Sequence, residues 1–273
     1  MTQSNAERAR TFRRLHAGPD VLVLANAWDA ASARLIENLG AKAIATTSAG
    51  VAWVHGYPDG SALPIERLVD TVTAIARVIS VPLTADIEDG YSDDPDEAAA
   101  NVARVVRAGA VGINIEDGTR EPELLGTKIE RAKRAAAELG VDLFVNARTD
   151  VYLRQLATGE AALRESVTRG RAYRAAGCDS LFVPGVIDPR DIRTLVEAVE
   201  LPLNVLAWPG LPALGALQGL GVRRLSAGAS IALAGWARVR AAATAFLSEG
   251  HVPAPSEPAM TSRDLNGMFR AAS

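Results

Sequence analysis

The chain contains one cysteine, Cys178, in 273 residues, which excludes an intrachain disulfide framework and fits a reducing compartment. Aromatic residues are scarce at 5%, so a core drawn from the 48% hydrophobic content must rest on Ala, Val, Leu and Ile. That composition suits close packing of helices on strands. There is no basic excess: 29 Lys and Arg face 32 Asp and Glu, a net charge of −3, and a nucleic-acid partner is not expected. No apolar run is long enough to span a bilayer, so no membrane partner is expected either. Met1 to Arg14 is polar and charged, without the apolar core of a secretory signal, and the expected location is cytoplasmic. No Gly-x-Gly-x-x-Gly turn follows the first strand-like run, which ends in Ala25-Asn26-Ala27-Trp28-Asp29, so a dinucleotide-binding open sheet is disfavoured.

What is present is a regular alternation. Eight short apolar runs read as strands: Val21–Ala27, Ala41–Thr47, Pro82–Glu88, Val111–Glu116, Asp142–Arg148, Ser180–Pro184, Leu203–Leu206 and Arg223–Ser226. Between them lie helical patterns at Ala30–Leu39, Pro64–Ile79, Pro95–Ala108, Glu121–Leu139, Glu160–Ala176, Pro189–Val199 and Leu211–Leu220. Asp94-Pro95 and Asp188-Pro189 have the form of an N-cap followed by proline in the first turn. Eight strand–helix repeats at this length predict a single α/β domain, a (β/α)8 barrel of TIM type spanning residues 1–273. The tail after Gly250 is proline-rich and expected to be extended, with a short amphipathic segment at Ser262–Ala271.

Catalytic groups in such barrels come from the C-terminal ends of strands. The third strand ends in Asp86-Ile87-Glu88-Asp89 and the fourth in Glu116-Asp117. Buried carboxylates need a compensating cation, which points to a divalent metal with oxygen ligands. Strand alternation puts Thr84, Asp86 and Glu88 on one face, then Asn114 with Glu116, Asn146 with Arg148, and Asn204 with Leu206. Their shared inward parity predicts one polar site at one rim. Arg148 and one divalent cation would balance Asp86, Glu88 and Glu116. The small-residue segment Thr46-Thr47-Ser48-Ala49-Gly50 could aim backbone amides at an anion. His55 and Tyr91, each close to a strand end, are candidate acid–base or donor groups, Trp28 and Asp29 are candidate pocket walls, and Tyr152 and Arg154 are candidate substrate or loop contacts. His16 and His251 read as surface residues, and Cys178 as a packed residue at the opposite end of the barrel.

These motifs, in this order, resemble the isocitrate lyase / phosphoenolpyruvate mutase superfamily. The resemblance rests on Asn26-Ala27-Trp28-Asp29, Thr46-Thr47-Ser48, Gly56-Tyr57-Pro58-Asp59, Ala85-Asp86-Ile87-Glu88-Asp89-Gly90-Tyr91, Asn114-Ile115-Glu116-Asp117 and Asn146-Ala147-Arg148-Thr149-Asp150. It implies Mg2+, with Mn2+ as substitute, and a small carboxylate substrate that is a 2-oxo acid or forms its enolate. It implies that Asp86 binds the metal, that Asp59, Glu88 and Glu116 hold its waters, and that Ser48, Ala49, Gly50 and Arg148 bind the substrate, with Asn204 lining the pocket. It also implies a homodimer or a dimer of dimers in which a helix at Ile231–Leu247, within residues 229–273, is exchanged between subunits.

The chain departs from the superfamily after its fourth strand. The C–C lyases carry Lys-x-Cys-Gly-His there, whereas this chain reads Gly118-Thr119-Arg120-Glu121-Pro122. The Asp-Asn lid motif of the phosphonate-forming mutases is absent too. The sixth strand ends in Val183-Pro184-Gly185-Val186 where relatives carry a polar or acidic residue. The expectation is an Mg2+-dependent lyase that cleaves or decarboxylates a small 2-oxo or 2-hydroxy carboxylate through an enolate. The alternatives are a 2-oxo-acid binding protein with little turnover, such as one for 2-oxoglutarate, and a phosphonomutase or P–C bond hydrolase.

Overall fold

In a computed structural model describing residues 4–253 and 260–269, every pairing between neighbouring strands is parallel. The strands are β1 (Leu22–Leu24), β2 (Asn26–Ala27), β3 (Ile44–Thr46), β4 (Leu83–Asp86), β5 (Gly112–Glu116), β6 (Phe144–Arg148), β7 (Ser180–Phe182), β8 (Leu203–Leu206) and β9 (Val222–Ser226). The helices are α1 (Asn5–Ala17), α2 (Ala30–Asn38), α3 (Ser48–Val54), α4 (Ile65–Val78), α5 (Pro95–Arg107), α6 (Pro122–Glu138), α7 (Gly159–Ala175), α8 (Pro189–Val199), α9 (Leu214–Leu220), α10 (Ser230–Glu249) and α11 (Ser262–Phe269). The sheet order is β1-β9-β8-β7-β6-β5-β4-β3-β2. The expected strand Val21–Ala27 is interrupted at Ala25: its first half pairs with β9 and its second with β3. One stretch of chain therefore joins both ends of the sheet and closes the expected TIM-type α/β barrel.

The predicted parity holds along the strands. Ile113, Ile115, Val145 and Ala147 are buried in the apolar layer between strands and helices. The opposite parity fills the barrel with polar side chains. Asn146 donates to Asn114 (2.8 Å), Ser180 to Asn146 (2.6 Å), and Arg224 to Asn114 and Ser226 (both 3.1 Å). Arg224 is fully buried, and desolvation pulls its pKa down to about 9. Asp94 and Asp188 cap α5 and α8 as expected, each accepting from a backbone N–H at 2.8 Å.

Three features differ from the sequence-based expectation. First, the polar N-terminal stretch is the helix α1, started by a reciprocal Ser4–Glu7 capping box. Ala9, Phe12 and His16 recur on its inner face and close the bottom of the barrel. Phe12 meets Phe144 edge-on at 5.2 Å, and His16 stacks on Phe144 at 4.1 Å. His16 is thus buried rather than a surface residue. Gly112 permits the fit, because a Cβ there would lie 2.7 Å from the Phe12 ring. Second, Ser48–Val54 is a short helix, not an open turn. Third, α11 packs on α2 of its own barrel, where Arg34 donates to the Met268 carbonyl at 2.7 Å. Helix α6 starts at Pro122, one residue from the expected start, so the segment after β5 is a short connection. The expected extended tail falls mainly on residues 254–259, outside the described residues, as do residues 270–271 of the amphipathic segment.

Cys178 is buried just before β7, at the bottom of the barrel, and burial pushes its thiol up to about 12. Helix α10 buries only Ala232, and leaves Ile231, Leu233, Trp236, Val239, Phe246 and Leu247 exposed. Among the described residues, no helix is long and apolar enough to cross a membrane.

Candidate active site

β4, β5 and β6 end side by side at the top of the barrel, delivering Asp86, Glu116 and Arg148 to one rim. Glu116 and Arg148 are register partners, and Arg148 Nη1 donates to Glu116 Oε2 at 2.6 Å. The other edge of Arg148 forks onto Asp150, with Nε at 2.6 Å and Nη2 at 3.1 Å. Asp150 is fully buried and also accepts from Arg154 at 2.7 Å. Its backbone N–H donates to Asp117, which Arg169 (3.0 Å) and Tyr173 (2.7 Å) hold from behind. These acids hold the Arg148 guanidinium charged. Of its five N–H donors, three are used in these bonds, which leaves two for a ligand.

Asp86 is buried, and desolvation raises its pKa against the pull of Arg148. The Glu88 and Ser48 backbone amides, the latter at the start of α3, also oppose the rise. Two residues on, Glu88 has left the strand at φ +51°, a left-handed conformation that is uncommon for a residue with a side chain. Its amide turns back onto Asp86 Oδ1 at 3.2 Å. The Ser61 amide and hydroxyl and the Tyr91 hydroxyl (3.2 Å) all donate to its carboxylate. Burial, then the Asp86 charge, push Glu88 up to about 7. Burial likewise raises Glu116, with Asp150, Asp86 and Glu88 adding to it. Tyr91 is also raised, by burial and by Glu88.

Two cavities flank the Arg148–Glu116 pair. The larger, about 310 Å³, is lined on one side by Ser48, Ala49, Asp59, Asp86 and Arg148. The smaller, about 140 Å³, is lined by Ser61, Glu88, Glu116, Arg120 and Arg154. Thus Ser48, Ala49, Asp59, Asp86, Glu88, Glu116 and Arg148 gather at one rim, as the sequence predicts. Other candidates stand apart. Asn204 does not line the larger cavity; it is fully buried beside Phe182, accepting from Ser226 at 3.2 Å. Gly50 and Trp28 pack against each other: a Cβ on Gly50 would lie 2.9 Å from the Trp28 Cβ. Asp29 caps α2. His55 ends α3 with Nε2 2.8 Å from the Thr71 hydroxyl, and lines neither cavity. Tyr152 donates to Asp191 at 2.8 Å.

Sequence reading missed Ser61, Asn26 and the apolar half of the larger cavity. Asn26 ties the barrel seam to the rim, donating to the Thr46 carbonyl (2.7 Å) and accepting from the Gly228 amide (2.9 Å). The Phe182 and Leu206 positions were readable from strand parity; Ser61, in the loop after α3, left no periodic signal.

The donor set is all oxygen, and its buried carboxylates are raised by desolvation and by one another, which fits a hard divalent cation. Among the described residues, no three His, Cys, Asp or Glu side chains converge on one point.

A parallel barrel with its charged groups gathered at the strand C-termini defines a barrel enzyme. The sequence matches the family model described as phosphoenolpyruvate phosphomutase over residues 12–247, and the chain belongs to that family of the isocitrate lyase / phosphoenolpyruvate mutase superfamily, whose members are lyases and mutases. It is 39% identical to the uncharacterized protein Rv1998c of Mycobacterium tuberculosis (strain ATCC 25618 / H37Rv), over 80% of this chain and 81% of that one. It is 31% identical to the oxaloacetate decarboxylase of Pseudomonas fluorescens (strain SBW25), over 82% and 80%. A crystal structure from Burkholderia cenocepacia J2315 superimposes with a TM-score of 0.88 at 34% identity, covering 98% of this chain and 97% of that one. A phosphonopyruvate hydrolase solved with oxalate and Mg2+ shares the fold, with a TM-score of 0.83 at 23% identity, covering 96% and 94%.

Proposed function

We propose that this protein is an Mg2+-dependent lyase that cleaves or decarboxylates a small 2-oxo or 2-hydroxy carboxylate through an enolate. The observation that carries the reading is the rim itself: Asp86 and Arg148 face one cavity together, with Glu88 and Glu116 directly behind them. Asp86 would hold the metal, with Asp59, Glu88 and Glu116 reaching it through water. When bound, Mg2+ supplies Lewis-acid stabilisation of the negative charge that develops on the substrate oxygen. Arg148 binds the substrate carboxylate through its two free N–H donors, and its orientation is fixed beforehand by Asp150 and Glu116. Ser48 and Ala49 close the cavity on the α3 side. The oxaloacetate decarboxylase relative and the oxalate–Mg2+ complex of a fold neighbour support this class of chemistry.

One observation favours a second reading, metal-dependent oxo-acid binding with little turnover: among the described residues, neither His nor Cys lines either cavity. Calorimetry with oxalate, with and without Mg2+, tests the shared part, because oxalate mimics the planar enolate. Binding only in the presence of Mg2+ is expected; absent or metal-independent binding would sink both readings. A subsequent screen of oxo-acids for product release separates lyase from binder.

The exchange of α10 between subunits of a dimer or tetramer is also proposed, on the strength of its uncovered apolar side chains.

A further inference from the structure

The larger cavity has two unlike halves. Around the rim, β4, β5 and β6 end in Asp86, Glu116 and Arg148, all with ionisable side chains. The next two strands carry on the same inward parity with apolar residues. Phe182 on β7 is the register partner of Arg148, and Leu206 on β8 is the partner of Ser226. Leu153, Pro184, Trp208 and Leu233 extend this wall to the mouth, where Trp208 is 46% and Leu233 54% exposed. Arg148 is the only cation among the described residues lining this cavity, and its remaining donors are enough for one carboxylate. Arg120 and Arg154 face the smaller cavity and are committed to acids: Arg120 to Asp89 at 3.0 Å, Arg154 to Asp150 at 2.7 Å.

A second carboxylate opposite Arg148 would be desolvated against Phe182 and Leu206 without a counter-charge, which is costly. An alkyl group there would bury apolar surface favourably. We infer that the substrate is a monocarboxylate at this site: a 2-oxo or 2-hydroxy acid whose distal half is uncharged and alkyl, seated against Phe182, Leu206 and Trp208. This inference rests on the enolate-site reading above and narrows its substrate class.

The test is calorimetry in saturating Mg2+ with four probes: oxalate, pyruvate, 2-oxoglutarate and 4-methyl-2-oxopentanoate. Oxalate reports the head of the site alone. The branched oxo-acid should bind about tenfold or more tighter than pyruvate, from the methylene and methyl groups it buries. 2-Oxoglutarate, of similar length but with a charged end, should bind no tighter than pyruvate. In Trp208→Ala and Leu206→Gln, the ratio of branched acid to pyruvate affinity should fall towards one. Trp208 is half exposed, so its truncation leaves the barrel core intact. Oxalate binding together with 2-oxoglutarate tighter than the branched acid, or all three oxo-acids equal, would overturn the alkyl assignment while leaving the lyase reading in place. Failure of oxalate itself would remove both.

Discussion

Arg148 has Asp150 on one edge and Glu116 on the other, and among the described residues the other cation paired with either acid is the half-exposed Arg154. Removing the Arg148 guanidinium leaves the buried pair of carboxylates to that one solvated cation, a change that typically costs several kcal/mol. Arg148→Ala should therefore weaken oxo-acid binding by at least about tenfold and also lower the melting temperature. Wild-type affinity in that variant would take Arg148 out of substrate binding. Asp86→Ala should abolish metal-dependent turnover, and full activity in that variant would refute its role as ligand. Glu88 supplies a pH test. Its carboxyl is raised to about 7, so it must lose a proton before it can serve a cation. Mg2+ affinity should rise as pH goes from 6 to 8, by up to about tenfold per unit below pH 7, with proton release during titration. Affinity that is flat over that range would show that Glu88 is not linked to the metal.

At the scale of elements, α1 is where sequence and structure part most clearly. Its buried positions are Ala9 and Phe12 together with Arg8 and His16, too mixed for the apolar periodicity that marked α4, α5 and α8. The helix is instead specified by its cap and by what it meets: Phe144 and the gap left by Gly112, both distant in sequence. The strands were readable because their inward and outward faces differ in polarity, and Asp86, Glu116 and Arg148 followed from that alternation. His55 lies away from both cavities because proximity in sequence to a strand end does not fix direction, whereas Asn204 keeps the inward parity read for it and bonds to Ser226 inside the barrel. Phe12→Ala should cost about 3–5 kcal/mol in urea unfolding, as for a deleted buried aromatic. A loss below 1 kcal/mol would mean that α1 does not seal the core. His16 adds a pH signature. Burial first, then the Arg224 charge, lower its pKa from 6.5 to about 3, while its Nδ1 bond to the Phe12 carbonyl opposes the shift. The folded state thus binds the neutral ring, so this contribution is complete above pH 6.5 and is lost as pH falls towards 3. Between pH 6.5 and 5 the loss is about 2 kcal/mol. Melting curves should show a smaller acid loss for His16→Phe than for wild type; equal losses would contradict the assignment.

At the scale of the whole molecule, α10 is the element the barrel does not account for. Trp236, Val239, Ala243 and Phe246 recur at helical spacing, yet none is buried. If the helix is exchanged as proposed, sedimentation will show a dimer or tetramer, and Trp236→Glu will shift it to smaller species. A monomeric wild type would end that proposal. Cys178 has a practical consequence at this same scale. With its thiol buried and pushed up to about 12, only on the order of one molecule in 10⁵ carries the thiolate at neutral pH. The native protein is therefore almost silent to maleimide dyes. A single cysteine introduced on α10 would take up one fluorophore without any other change to the chain, and energy transfer between labelled copies would then report directly on how far apart two such helices lie.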